Sequence, residues 1–356
     1  MHPYMSLTEK IISWYSQNKR DLPWRETSDP FKIWLSEVIM QQTRIEQGTS
    51  YYLKFVNEFA SIEGLANAPE EKIMRMWQGL GYYSRARNLH AAAKQVTTQY
   101  GGLFPVSYRE LIKLKGIGDY TAAAISSIAS KEKVPAVDGN VKRVIARFFD
   151  IRQDIAAAKT YTTIKNTCAQ LMGDEDPGTF NQALMDFGAL ICTPRNPQCH
   201  NCPLREHCLA VQSGMVKELP VKYNRTKKKN RFFNFLVLEF ENDQQAFFYI
   251  VQRKEKDIWN RLFQFPLIES KELLEEKVLL NELKTLIPDI NTGRISFSTQ
   301  YKHLLSHQII FAQFIRIRLK NEPKKIPAEW LKIPQEKITD YGIPRLIDQY
   351  LKTEYF

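Results

Sequence analysis

The sequence predicts a mostly α-helical domain followed by a smaller α+β domain. Three observations carry that prediction. Apolar residues recur at spacings of three and four from about Leu7 to Val211, four of the five cysteines crowd into one short segment near the end of that stretch, and beyond Arg231 the pattern turns to β-branched and aromatic runs. A chain of 356 residues is long enough for two domains, and an apolar content of 44% is enough to bury their cores.

In the first part Leu7, Ile11, Trp14 and Tyr15 share one helical face, Trp34, Val38 and Ile39 another, and Leu111 and Leu114 a third. Asp29-Pro30, Ala68-Pro69, Gly101-Gly102 and Asp176-Pro177-Gly178 punctuate these helices. Pro220 to Asn230 carries Arg225, Lys227, Lys228 and Lys229 with no apolar face and reads as a linker, giving domains at residues 1–217 and 231–356 joined by 218–230. In the second domain Arg231 to Phe240 and Ala246 to Arg253 read as strands and Lys271 to Leu286 as a helix. Gln308 to Leu319 alternates toward its end, and Ile343 to Leu351 reads as a closing helix.

Fifty basic against 39 acidic residues leave a net charge of +11, which favours a polyanionic partner through counterion release. No apolar run approaches the roughly 20 residues that cross a bilayer. Met1 to Lys10 lacks the basic cap and apolar stretch of a signal peptide, so the expected location is the cytoplasm of a bacterial cell, at its nucleoid.

Four elements bear on chemistry. Cys192, Cys199, Cys202 and Cys208 follow a Cys-x6-Cys-x2-Cys-x5-Cys spacing; soft thiolates crowded in this way select an iron–sulphur cluster or zinc, and the presence of only one Cys-x2-Cys unit favours the cluster. Cys168 stands apart on a helix and reads as a small buried apolar residue. Gly116 and Gly118 sit in a tight turn between a helix ending at Leu114 and a small-residue helix, where backbone amides can face a phosphate. Asp138 precedes Gly139-Asn140 at a helix start and reads as an N-cap that could border the same cleft. Glu37 interrupts a helix made apolar by Trp34, Leu35, Val38 and Ile39, surroundings that would raise its pKa and let it hold a proton near neutrality.

In this order, over about residues 7 to 211, the four elements resemble the endonuclease III superfamily of helix–hairpin–helix, iron–sulphur DNA glycosylases. Ser36-Glu37-Val38-Ile39-Met40-Gln41-Gln42-Thr43 resembles its adenine glycosylase (MutY) branch. Tyr120 stands where the strand-cutting branch has a lysine, and the C-terminal domain resembles a Nudix hydrolase that has lost its catalytic box. The resemblance implies a monofunctional glycosylase of base excision repair, acting as a monomer on double-stranded DNA. It would hydrolyse the N-glycosidic bond of adenine mispaired with 8-oxoguanine or guanine, and it would hold a 4Fe–4S cluster on the four cysteines.

The resemblance assigns Glu37 to protonate the departing adenine, Asp138 to face the sugar, and Tyr120 and Asn140 to support the intermediate. Trp24, Arg25 and Gln182 would line the adenine pocket, Gln42 and Tyr82 would approach the lesion base, and Gly116 and Gly118 would hold backbone phosphate. Ser306 and His307 would read 8-oxoguanine. Three motifs depart from the usual pattern: Leu305 replaces a Phe, Lys115 replaces a Pro, and Arg261-Leu262-Phe263-Gln264-Phe265-Pro266 stands in place of Gly-Leu-Trp-Glu-Phe-Pro.

Overall fold

The computed structural model describes residues 3–223, 228–242, 245–254 and 257–355. Its helices are α1 (Pro3–Asn18), α2 (Pro30–Met40), α3 (Ile45–Glu58), α4 (Ile62–Asn67), α5 (Glu70–Met76), α6 (Ser84–Gln99), α7 (Tyr108–Leu111), α8 (Asp119–Ala129), α9 (Gly139–Phe148), α10 (Ala158–Met172), α11 (Pro177–Leu190), α12 (Leu209–Gln212), α13 (Glu276–Leu286) and α14 (Arg345–Glu354). The strands are β1 (Lys229–Asn242), β2 (Gln245–Gln252), β3 (Phe263–Gln264), β4 (Leu267–Ser270), β5 (Thr292–Phe297), β6 (Tyr301–Leu304), β7 (Gln308–Leu319) and β8 (Trp330–Pro334). The chain divides into two compact units. One comprises Met1–Ala68 with Arg87–Arg225, the other Pro69–Ala86 with Thr226–Phe356.

Local chemistry explains the helix starts in the first unit. Asp29, Asp138 and Asp176 each cap a helix by accepting a backbone N–H, and Pro30 and Pro177 occupy the first turn, where no N–H partner is needed. A core of Leu7, Ile11, Val141, Ile145, Ile164, Cys168, Phe180 and Phe187 locks α1, α9, α10 and α11 together. Cys168 is fully buried there, as its apolar neighbours suggest. The hairpin runs from α7 through Leu114–Gly118 into α8. Gly116 holds φ +78°, and a Cβ at this position would lie 2.6 Å from the Asn88 Cβ, so the turn requires glycine.

In the second unit β1 pairs in parallel with β7 and antiparallel with β2 and β4; β5 and β6 add to β7, and β3 and β8 to β2. Period-two alternation along β1 serves two cores. Phe233, Phe235 and Val237 pack with Leu346, Ile347 and Tyr350 of α14, while Leu236 and Leu238 pack with Leu279 and Leu283 of α13.

Several of the expected boundaries shift. Helix α13 starts at Glu276, not Lys271, and α14 spans Arg345–Glu354, because Pro344 takes the N-cap position. Part of the expected linker is fastened to the first unit: Leu219 is buried, its carbonyl accepts from Arg147 Nε at 2.9 Å, and the Val221 carbonyl accepts the Ile155 N–H at 3.0 Å. Lys229 and Asn230 begin β1, and Arg225 and Lys227 lie outside the described residues. Residues 69–86, inside the expected helical domain, group with the second unit.

Candidate active site and iron–sulphur centre

Three helices of the first unit bring Glu37, Tyr120 and Asp138 into one electrostatic environment. Glu37 is half-buried on α2, its pKa pushed up to about 7 by burial, with the Tyr120 hydroxyl in hydrogen-bonding reach and the Asp138 charge nearby. Arg25 opposes that shift from the same neighbourhood. Tyr120, second in α8, donates to Met185 Sδ at 3.3 Å, and burial beside the two carboxyls raises its own pKa well above the ordinary value. It stays neutral and can donate.

Asp138 is set by its role as N-cap of α9. Its Oδ1 accepts the Val141 N–H at 2.8 Å and its Oδ2 accepts the Asn140 amide at 2.8 Å. Burial raises the Asp138 pKa and these donors pull it back. The two carboxyls therefore differ in kind. Asp138 has several fixed N–H donors that favour the ionised form, whereas at Glu37 desolvation in an apolar helix favours the acid and outweighs the single hydroxyl donor, Tyr120.

A buried ion-pair network forms one wall. Asp186 of α11 is fully buried and accepts from Arg25 Nη1 at 2.6 Å and Nη2 at 2.7 Å, and from Arg20 Nε at 2.9 Å. Gln182, one turn earlier on α11, accepts from the Tyr15 hydroxyl at 2.8 Å, and Trp24 packs edge-on against Tyr52. Asp186, Arg20 and Tyr15 were not among the sequence candidates. The signal that singled out Glu37 was available for Asp186 as well: a carboxylate among Leu184, Met185 and Phe187 on an apolar helix.

Gln42 is exposed with φ +55° at the end of α2, where Gln41 Nε2 donates to the Thr121 hydroxyl at 3.1 Å and ties α2 to α8. Gly116 and Gly118 are exposed on the hairpin, and Gly118 has open space where a side chain would be. Tyr82 is exposed with φ +48°, while Tyr83 is buried. In the β6–β7 turn Ser306 and His307 are both exposed, their Oγ and Nδ1 3.1 Å apart. Tyr82, Ser306 and His307 all belong to the second unit.

Cys192, Cys199, Cys202 and Cys208 line one pocket with Ile191, Pro197, Val211, Val216 and Arg147. Four thiols around one pocket are a donor set that fits an iron–sulphur cluster. Arg147, almost fully buried, donates to Cys192 Sγ at 3.4 Å and to the Thr193 and Pro194 carbonyls at 2.7 and 3.1 Å, which fixes the loop and offsets thiolate charge. Arg143 links the same loop to the Asp138 turn, donating to the Cys192 carbonyl at 2.7 Å and to Asn140 Oδ1 at 2.9 Å.

Known proteins resemble this chain in sequence and fold. Residues 35–170 match the HhH-GPD superfamily of base excision DNA repair proteins, 192–208 match the iron–sulphur binding domain of endonuclease III, and 236–353 match the NUDIX domain. An adenine DNA glycosylase of Buchnera aphidicola (subsp. Acyrthosiphon pisum) is 32% identical over 353 residues, covering 97% of this chain and 96% of that protein. The chain belongs to the adenine DNA glycosylase family. The human adenine DNA glycosylase is 30% identical, covering 90% of this chain and 69% of the relative. Among solved structures, a thermostable thymine-DNA glycosylase aligns with a TM-score of 0.55 at 28% identity, covering 59% of this chain and 97% of that one. An endonuclease III–DNA complex aligns with a TM-score of 0.52 at 22% identity and supports the fold. As a member of the adenine DNA glycosylase family the chain is a DNA-repair hydrolase of N-glycosyl bonds that carries a 4Fe–4S cluster. Among the described residues no helix is long and apolar enough to cross a membrane.

Proposed function

We propose that this glycosylase is monofunctional and hydrolyses the bond between deoxyribose and adenine mispaired with 8-oxoguanine or guanine in duplex DNA. One observation carries the reading: an acid with its pKa pushed up to about 7 shares a site with a carboxylate held by backbone and amide donors. Glycosidic cleavage needs those two groups, a proton for the departing base and negative charge beside the oxocarbenium-like sugar.

Glu37 gives its proton to the adenine ring. Asp138 faces the sugar as an anion, and its Asn140 and Val141 partners keep it ionised and aimed. The Tyr120 hydroxyl orients Glu37 and supports the charged intermediate. Trp24, Arg25 and Gln182 line the pocket for the extruded adenine, which must leave the stack to reach these groups. A water then adds to the sugar and leaves an abasic site. With Tyr120 where a lysine would form an imine, the strand stays intact. Gly116 and Gly118 present amides to a phosphate, Gln42 and Tyr82 approach the lesion base, and Ser306 and His307 offer hydrogen bonds to 8-oxoguanine. Cys192, Cys199, Cys202 and Cys208 would hold the cluster, which would fix the shape of the loop. The protein acts as a monomer in a bacterial cytoplasm, on the nucleoid.

Single-turnover assays on a duplex carrying adenine opposite 8-oxoguanine test this. Strand breaks that appear only after alkali or heat support it; breaks without treatment, or release from thymine-glycol duplexes instead, overturn it.

A further inference from the structure

The segment 69–86 is short, carries exposed Tyr82, and is built into the second unit through several named contacts. The Tyr83 hydroxyl donates to the Ile343 carbonyl at 3.3 Å, and Gly342 lies against Met74, its would-be Cβ 3.6 Å from the Met74 Cβ. At the segment's start, Arg261 Nη1 donates to both carboxylate oxygens of Glu70 at 2.9 Å. At the other end, the Arg85 guanidinium lies over the rings of both Trp77 and Tyr82, at 5.1 and 5.7 Å, and donates to the Gly81 carbonyl at 3.2 Å; the Trp77 indole N–H donates to the same carbonyl at 3.1 Å. Tyr82 is therefore an exposed ring on a rigid mount.

Arg261 has a feature that a mere surface cation would not need. Its φ is +65°, a left-handed conformation that glycine adopts freely and arginine resists. Its backbone is pinned there, with its N–H donated to the Arg253 carbonyl at 2.7 Å and its carbonyl accepting from Gln252 Nε2 at 3.1 Å. Glycine would satisfy the turn, so what the arginine adds is its reach to Glu70.

We infer that Arg261 and Glu70 form a positioning latch that fixes the Tyr82 segment to the C-terminal sheet, so that Tyr82 and the Ser306–His307 turn move as one body when the base opposite adenine is read. This rests on the lesion-reading role proposed for those residues, and it assigns Arg261 to specificity instead of chemistry. An exposed ion pair is weak, so the expected effect is modest.

The test is a charge-swap cycle on the full-length protein. R261E and E70R should each lower the preference for adenine opposite 8-oxoguanine over adenine opposite guanine by about two- to fivefold in single-turnover rates. Each should also speed amide hydrogen exchange in residues 77–86. The double variant E70R/R261E should recover both, and R261G, free of backbone strain, should remain folded yet behave like R261E. Unchanged exchange in R261E, or a double variant no better than the singles, overturns the latch. A wild-type protein with no preference between the two duplexes overturns the lesion-reading role, and the exchange measurements then judge the latch separately.

Discussion

Replacing Glu37 by Gln should abolish base release and at the same time stabilise the protein at alkaline pH. Glu37 has its pKa raised from 4.5 to about 7, chiefly by burial. A carboxyl that binds its proton more tightly when folded gives stability that is fully present below about pH 4.5 and is lost as pH rises through 7. At about 1.4 kcal/mol per pH unit the displacement corresponds to about 3 kcal/mol. Gln keeps the shape and never ionises, so that cost disappears. The contact with Tyr120 is already contained in the Glu37 pKa, so the expected gain is about 3 kcal/mol at pH 8 and vanishes by pH 4. Urea unfolding of wild type and E37Q at pH 4, 6 and 8, with the cluster retained, reads this directly, and single-turnover adenine release reads the lost chemistry. Wild-type activity should itself fall as pH climbs above about 7, because the acid form of Glu37 is depleted. Equal unfolding free energies at pH 8, or a variant that still releases adenine at the wild-type rate, would refute the argument that burial makes Glu37 an acid.

Asp138→Asn keeps a cap for α9 but removes the anion beside the sugar, so base release should fall by about 10²-fold or more while duplex binding persists in gel-shift titration. Gly116→Ala meets both the +78° φ and the Asn88 contact, and should cost about 1–3 kcal/mol, read as a lowered Tm. Gly118→Ala has room for its methyl, so its Tm should hold while salt-dependent DNA affinity drops. Cys199→Ser should lower iron content and near-visible absorbance together with Tm, because the loop around Arg147 loses its centre. Asp186→Ala would strand Arg25 and Arg20 without their buried partner and should destabilise by about 3 kcal/mol, measured by chemical unfolding.

Much of this protein is legible one segment at a time. The cap at Asp138, the breaks at Asp29-Pro30 and Asp176-Pro177, the cysteine spacing and the lone Glu37 among apolar residues are all signals in which a side chain acts on backbone or neighbours within a few positions. The long strands β1, β2 and β7 are equally plain, because each is long enough for alternation to register. The two- to six-residue strands β3 to β6 and β8 are not, since so few residues cannot separate a strand from a loop, and partners far along the chain decide their pairing.

What the sequence by itself determined is therefore the kind of protein and the candidates for its reactive groups: a helical glycosylase unit, a four-cysteine loop, and two carboxyl side chains, Glu37 and Asp138, on different helices. Only the tertiary structure decided that Glu37, Tyr120 and Asp138 share one field across a hundred residues, that Asp186 clamps two arginines beside them, and that residues 69–86 fold with the C-terminal sheet. The physical reason is range. Capping and periodicity act within a turn or two of the chain, whereas desolvation, ion pairing and domain membership depend on which distant surfaces are brought into contact once the core has formed.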